Sequence, residues 1–372
     1  MIGRETYAAR QQRLRADMAD AGIDVIAAYA DVWRPGNVFY LTNWREPAGG
    51  ISQAWCLFLL PIRGESILLV GFETTLQAPE IAVMDRVERS DRLDAVLGHV
   101  KRASRPRRVG LIGEHLLPLA IYRQLAAGLG DVAFVDAMPL LTRQRRIKQP
   151  EEIALMRQAA ALSDQAMETA IAALREGATE AEIAAAGNAF IVSQGAVLSF
   201  YPTVGSGPNS ARAMQLATEN RIRRGDLILL DFGACWQGYY GDISRTVGFG
   251  ELDPTKRRIL ETAITASVEG LKAIKPGVMI KEVELTIRRV ISDAGLGDHL
   301  LHNIGHGIGT DQEEDFPIGP DSEIVLAPGM TFTVEPGIYW PGVGGCRIED
   351  VVAVTDTGCE VLGKVRRDLF LA

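Results

Sequence analysis

Apolar side chains recur at helical spacing over residues 5–22 and stop at Ala21-Gly22, which predicts an N-terminal helix. Short apolar runs follow at 23–30 (IDVIAAYA), 56–62 and 66–72, with two more at 107–113 and 131–137 flanking a helical stretch. Runs of this length bounded by turn residues predict buried strands, so the first part of the chain reads as α/β with a mostly parallel or mixed sheet. The stretch 32–44 (VWRPGNVFYLTNW) mixes aromatics with turn residues and fits either a substrate-facing loop or ordinary packing. Lys148-Gln149-Pro150-Glu151-Glu152 marks a boundary, with Pro150 opening a new helix. The predicted domains are therefore 1–145 and 146–372.

Downstream the period changes. Residues 151–176 and 179–195 are long Ala-rich helical patterns separated at Gly177, and 254–274 with 280–295 form a second pair around Lys275-Pro276-Gly277. Each pair precedes a strand-rich stretch. Helices thus segregate from an antiparallel sheet, and the chain as a whole is α+β.

Composition narrows the function classes. A chain of 372 residues with 47% hydrophobic content buries a large core. Its net charge of −8 argues against nucleic acid or an anionic membrane as partner. No apolar run approaches the roughly 20 residues that span a bilayer, and residues 1–18 lack the apolar core of a signal peptide. Cys56, Cys235, Cys346 and Cys359 show no CxxC spacing, which fits reduced thiols of a cytoplasmic protein.

Chemistry concentrates in the strand-rich stretches. Asp231, Asp242, His306, Glu335 and Glu349 are four carboxylates and one imidazole, a donor set suited to Mn²⁺, Co²⁺, Fe²⁺ or Zn²⁺. Carboxylates gathered in one small volume repel each other unless cations are present. Two divalent ions would neutralise them, and a paired-metal site activates water for hydrolysis. Spacing supports the gathering. An antiparallel hairpin centred between Trp236 and Gln237 puts Asp231 opposite Asp242, and one centred on Gly342 brings Glu335 near Glu349. His306 lies in Gly305-His306-Gly307-Ile308-Gly309, where glycines permit close backbone approach. No lysine or helix start follows them, so this is not a phosphate loop.

The segments RIKQPEEIALMRQAA (146–160), SGPN (206–209), GDLILLDFGA (225–234), GYYGDISRT (238–246), GHGIG (305–309), TFTVEPGIY (331–339) and CRIEDVVAVT (346–355) resemble the creatinase / Xaa-Pro aminopeptidase / methionine aminopeptidase superfamily. The likeness runs from about Arg143 to the C-terminus. The upstream portion is similar to the N-terminal domain of the Xaa-Pro peptidase and creatinase branches. The resemblance implies a pita-bread C-terminal domain, an antiparallel sheet covered by helices, behind an α/β creatinase-like domain. It also implies two divalent ions held by Asp231, Asp242, His306, Glu335 and Glu349, with Thr246 and Arg347 orienting the ligands, and a homodimer in which 32–50 supplies a contact. The implied activity is metal-activated hydrolysis of an amide C–N bond in a short Xaa-Pro peptide. Glu335 or Glu349 would take the proton of the water. His302 or Glu313 would stabilise the intermediate or protonate the leaving nitrogen. His302, Glu313, Glu335 and Arg347 are thus the catalytic candidates.

Two departures open an alternative. Where the peptidases usually carry histidines, this chain has Met214 and Glu313, and methionine does no acid-base chemistry. That favours a small-molecule hydrolase or lyase of the same fold, similar to ectoine hydrolase, creatinase or the dimethylsulfoniopropionate lyases. A non-catalytic binding module is a third reading, disfavoured by the complete ligand set. Asp311, Glu313, Glu314 and Asp315 form either a solvated acidic turn or a wall that attracts an amine, amidine or guanidinium.

Overall fold

The computed structural model describes residues 2–47 and 54–371, and for 315–317 the backbone alone. The chain divides into Met1–Arg145 and Arg146–Ala372. Among the described residues the first unit carries a six-stranded mixed sheet. Its order is Arg86–Arg89, Ile67–Val70, Trp55–Pro61, Val25–Asp31, Arg108–Ile112, Ala133–Asp136. The central strands are near-continuous apolar runs because both faces are covered. Val25, Ala27, Tyr29, Leu57 and Leu59 pack with the helices Leu93–Ser104 and Leu119–Leu129. Ile26, Ala28, Cys56, Phe58 and Leu60 pack on the opposite side with the helices Arg4–Ala21 and Gly36–Thr42. The period of two along each strand thus separates one core cluster from the other. Gly36–Thr42 falls within 32–44, and all seven of its residues are buried, so packing rather than substrate contact explains Phe39 and Tyr40.

In the second unit Pro150–Ala172 opens as the sequence predicts. Pro150 takes the first helical position, and Gln149 and Glu152 exchange a capping box. This helix and Glu180–Ser193 cover an antiparallel ladder of Thr203–Ser206, Asp226–Phe232 and Ile243–Phe249, which Leu369–Leu371 extends in parallel. The helices Pro254–Ala273 and Ile280–Asp293 cover the second sheet: Glu314–Pro317, His306–Gly307, Thr331–Val334, Asp350–Val354, Cys359–Val361. Two similarly built halves result. The peptide N–H of Glu349 donates to Ser244 O at 3.0 Å, joining the ligand-bearing strand of one half to that of the other. Among the described residues no helix is long and apolar enough to cross a membrane.

Candidate metal centre

The hairpin after Asp231 turns at Gln237-Gly238, whose φ values of 48° and 84° are both left-handed, as a two-residue hairpin turn of the primed kind requires. Trp236 pairs with Tyr239, and the same register puts Asp231 opposite Ser244, not opposite Asp242 as the sequence spacing predicts. The glycine, and not the preceding tryptophan, fixes the turn. The displacement is two residues, an even number, so the alternation of strand side chains keeps Asp242 on the face of Ser244 and Asp231. Gly241, just before Asp242, runs against the Ala159 carbonyl; a Cβ there would lie 2.8 Å from its oxygen. The second hairpin is centred on Gly342 as expected, Gly337 pairing with Arg347 and Trp340 with Gly344. Val334 pairs with Asp350 in the same register, which leaves Glu335 and Glu349 between the two ladders.

These turns bring all five expected ligands to the wall of one cavity of about 510 Å³. Asp242, His306 and Glu349 each offer a ligand atom within 4.8 Å of the other two. Glu335 Oε1 lies 3.6 Å from His306 Nε2. Asp231 is ion-paired to Arg347. His306 Nδ1 is 3.0 Å from the Gly307 carbonyl, which can only accept, so Nδ1 carries the hydrogen and Nε2 presents its lone pair. The backbone supports this placement. His306 N–H donates to Thr333 Oγ1 at 3.1 Å, and a Cβ on Gly305 would run into the Thr333 carbonyl.

Burial raises every carboxylate of the group. Glu335 is pushed up to about 7 and Glu349 to about 8, in both cases first by burial and then by neighbouring acids. Asp231 is raised, and Asp242 well above its usual value, with Glu349 and Asp231 adding repulsion to the burial of Asp242. Among the described residues Asp231 Oδ1 and Asp242 Oδ1 are buried without a hydrogen-bond partner. Buried carboxylate oxygens left unbonded are costly. Hard oxygen donors, one oriented imidazole and uncompensated negative charge together fit divalent cations.

Around these ligands lies a set of supporting groups. Arg347 Nε donates to Ser244 Oγ at 2.8 Å and Nη1 to Tyr339 Oη at 3.1 Å, while Nη2 holds Asp231. Ser244 in turn donates to Glu349 Oε2 at 2.7 Å. Thr246 Oγ1 accepts the Arg347 backbone N–H at 3.0 Å, and Gln312 donates to Asp242 Oδ2 at 3.1 Å. Ser244, Gln312 and Tyr339 were missed by the sequence reasoning; Ser244 and Tyr339 lie inside the quoted segments GYYGDISRT and TFTVEPGIY.

His302 Nδ1 faces the Asn303 carbonyl at 2.6 Å and so carries its hydrogen there, while Nε2 accepts from Tyr339 Oη at 2.9 Å. Burial pushes His302 down to about 4. Met214 and Glu313 line the same cavity. The acidic run 311–315 is only partly solvated, with Glu313 exposed. Asp311 and Glu314 are buried, and Glu314 pairs with Lys148 Nζ at 2.9 Å. The Asp315 side chain lies outside the described residues.

Residues 154–356 match metallopeptidase family M24, and residues 10–147 match the creatinase/prolidase N-terminal domain. A Xaa-Pro dipeptidase of Pyrococcus horikoshii is 32% identical over 321 residues, 83% of this chain and 89% of that protein. A putative dipeptidase of Bacillus subtilis is 36% identical over 256 residues, 68% of this chain and 70% of that protein. Among solved structures, a Xaa-Pro dipeptidase from Bacillus anthracis superposes with a TM-score of 0.88 at 32% identity, covering 98% of this chain and 100% of that one. An X-Pro aminopeptidase from Thermotoga maritima gives 0.86 at 28% identity, covering 97% and 99%. The chain belongs to metallopeptidase family M24. It has the pita-bread fold behind a creatinase-type domain, and it is a hydrolase of a family whose chemistry uses divalent metal ions.

Proposed function

We propose that this hydrolase cleaves the amide C–N bond of short Xaa-Pro peptides in a catalytic domain spanning 146–372, with 1–145 as its N-terminal domain. Two divalent ions would be held by Asp231, Asp242, His306, Glu335 and Glu349. The observation that carries the reading is a group of four carboxylates around an oriented imidazole, three of them buried and two with an oxygen left unbonded among the described residues. The Xaa-Pro substrate is supported by relatives that bear that name across most of this chain.

Ions bound there would acidify a water near neutral pH and polarise the amide carbonyl. Glu335 takes the proton of the attacking water and returns it to the leaving nitrogen as the C–N bond breaks, releasing an acid and an amine. Arg347 and Ser244 keep Asp231 and Glu349 from turning away from the cavity. His302 acts by position. It accepts from Tyr339, which accepts from Arg347, so the three are joined in one hydrogen-bonded chain.

A second reading, a small-molecule hydrolase or lyase, is favoured by the cavity wall itself. Met214 offers no strong hydrogen bond there and Glu313 adds negative charge. The test is a metal-loaded activity panel of Gly-Pro, Ala-Pro and Lys-Pro beside creatine and ectoine. Release of proline is expected. Turnover of creatine or ectoine without Xaa-Pro cleavage would transfer the function to the second reading.

Manganese, cobalt, zinc or iron all suit these donors. A cytoplasmic homodimer is the assembly we favour. Of the contact segment 32–50, residues 36–42 are buried within their own unit and 48–50 lie outside the described residues. Exposed surface remains at Trp33 and Arg34, where Trp33 is 67% exposed.

A further inference from the structure

Two neighbouring acids, Glu313 and Glu314, are presented in opposite ways. Glu314 Oε2 accepts from Lys148 Nζ at 2.9 Å, and its Oε1 accepts from Thr310 Oγ1 at 3.0 Å and from the Asp311 N–H at 3.3 Å. A Cβ on Gly309 would lie 2.7 Å from both Glu314 Oε1 and Lys148 Cε, so the chain is packed tightly onto this buried pair. On the other side of Glu313, Gln312 is bonded to Asp242 at 3.1 Å. The backbone carrying Glu313 is therefore fixed at both flanks.

Glu313 itself is exposed and lines the 510 Å³ cavity. Among the described residues it makes no hydrogen bond or ion pair. The arginine of that cavity is committed elsewhere, to Asp231, Ser244 and Tyr339. Cations bound by the other four carboxylates would leave this charge uncompensated. The same cavity carries Phe200, Tyr201 and Met214, the last two exposed by 65% and 80%. A carboxylate without a partner, carried on a fixed stretch of backbone, attracts a cationic nitrogen, and aromatic and thioether surface accommodates its alkyl stem.

We propose that Glu313 is a specificity-determining residue that selects substrates carrying an ammonium or guanidinium group on the residue preceding the scissile bond. Neutral isosteres and acids are disfavoured. The proposal rests on reading the cavity as an amide-hydrolysing site.

The test compares kcat/KM for Lys-Pro, norleucine-Pro and Glu-Pro in the metal-loaded protein, in Glu313→Gln and in Glu313→Lys. The wild type should prefer Lys-Pro over norleucine-Pro by about tenfold or more, chiefly through KM and less so at high salt. Glu313→Gln should bring that ratio to within about twofold, with metal content by elemental analysis unchanged, and Glu313→Lys should shift preference toward Glu-Pro. A ratio that Glu313→Gln leaves intact overturns the proposal, as does an equal fall for both substrates. If no dipeptide is cleaved, the reading of the reaction fails, and calorimetry with lysinamide and norleucinamide then decides on Glu313 alone. Tighter lysinamide binding that is lost in Glu313→Gln supports the proposal; equal binding of the two in the wild type overturns it.

Discussion

Ser244, fully buried behind the cavity wall, is a small group with a large expected effect. Its hydroxyl donates to Glu349 and accepts from Arg347, so one oxygen sets the position of two charged side chains. Ser244→Ala should lower metal affinity about 10–100-fold with little change in stability; titration with Mn²⁺ monitored by calorimetry checks this. A second residue-scale prediction concerns pH. The folded-state values of Glu335 and Glu349, about 7 and about 8, lie above the ordinary 4.5. The folded metal-free protein therefore binds more protons than the unfolded chain across this range, and stability is lost as pH rises. His302, lowered to about 4, acts in the opposite sense, but only below its ordinary value of 6.5. Between pH 6.5 and 8 the carboxylates alone decide. Urea denaturation in chelator should show stability falling with pH across that window, and added Mn²⁺ should remove the fall. A flat or rising profile in chelator would contradict this account of the group. The five candidate ligands were legible in the sequence because Asp, Glu and His between apolar strands need a reason to be there. Ser244, Gln312 and Tyr339 carry no such mark, since hydroxyls and amides occur in any strand or loop.

The strands that carry the ligands are held across the two halves by Arg245 and Asp350. Both are buried, Arg245 on Ile243–Phe249 and Asp350 on Asp350–Val354, at 2.7 Å. Arg245 also donates to the Val365 carbonyl at 2.7 Å, and Arg367 covers the second oxygen of Asp350 at 2.8 Å. Removing Arg245 leaves the buried Asp350 with only the partly exposed Arg367 as ion-pair partner and takes from the Val365 carbonyl the donor Arg245 supplies. Arg245→Met should cost about 3–5 kcal/mol by urea denaturation, more than the same change at the exposed Arg157–Glu360 pair. At this scale the sequence was informative about helices: Pro150 opens one, and Gly177 and Lys275-Pro276-Gly277 lie in the connections between paired helices, although the first helix stops at Ala172, short of the expected 176. The Gly342 hairpin was also legible. The Asp231 hairpin was displaced by two residues because Trp236-Gln237-Gly238 allows two turn positions, and only the backbone dihedrals distinguish them. The face survived the error, which is why the ligand set did too.

At the scale of the whole molecule, a homodimer is expected. Light scattering across micromolar concentrations should give twice the 40.4 kDa chain mass, and Trp33→Glu should weaken the association. A monomer mass throughout that range would refute the dimer without touching the chemistry, because every candidate ligand lies in Arg146–Ala372. The central claim is that the buried carboxylates exist to hold cations. It is tested most directly by elemental analysis of the protein reconstituted with Mn²⁺, Co²⁺ or Zn²⁺ and freed of excess metal. The account predicts two ions per chain in the wild type and fewer in Asp242→Ala. A wild-type protein that retains no metal after reconstitution would contradict it.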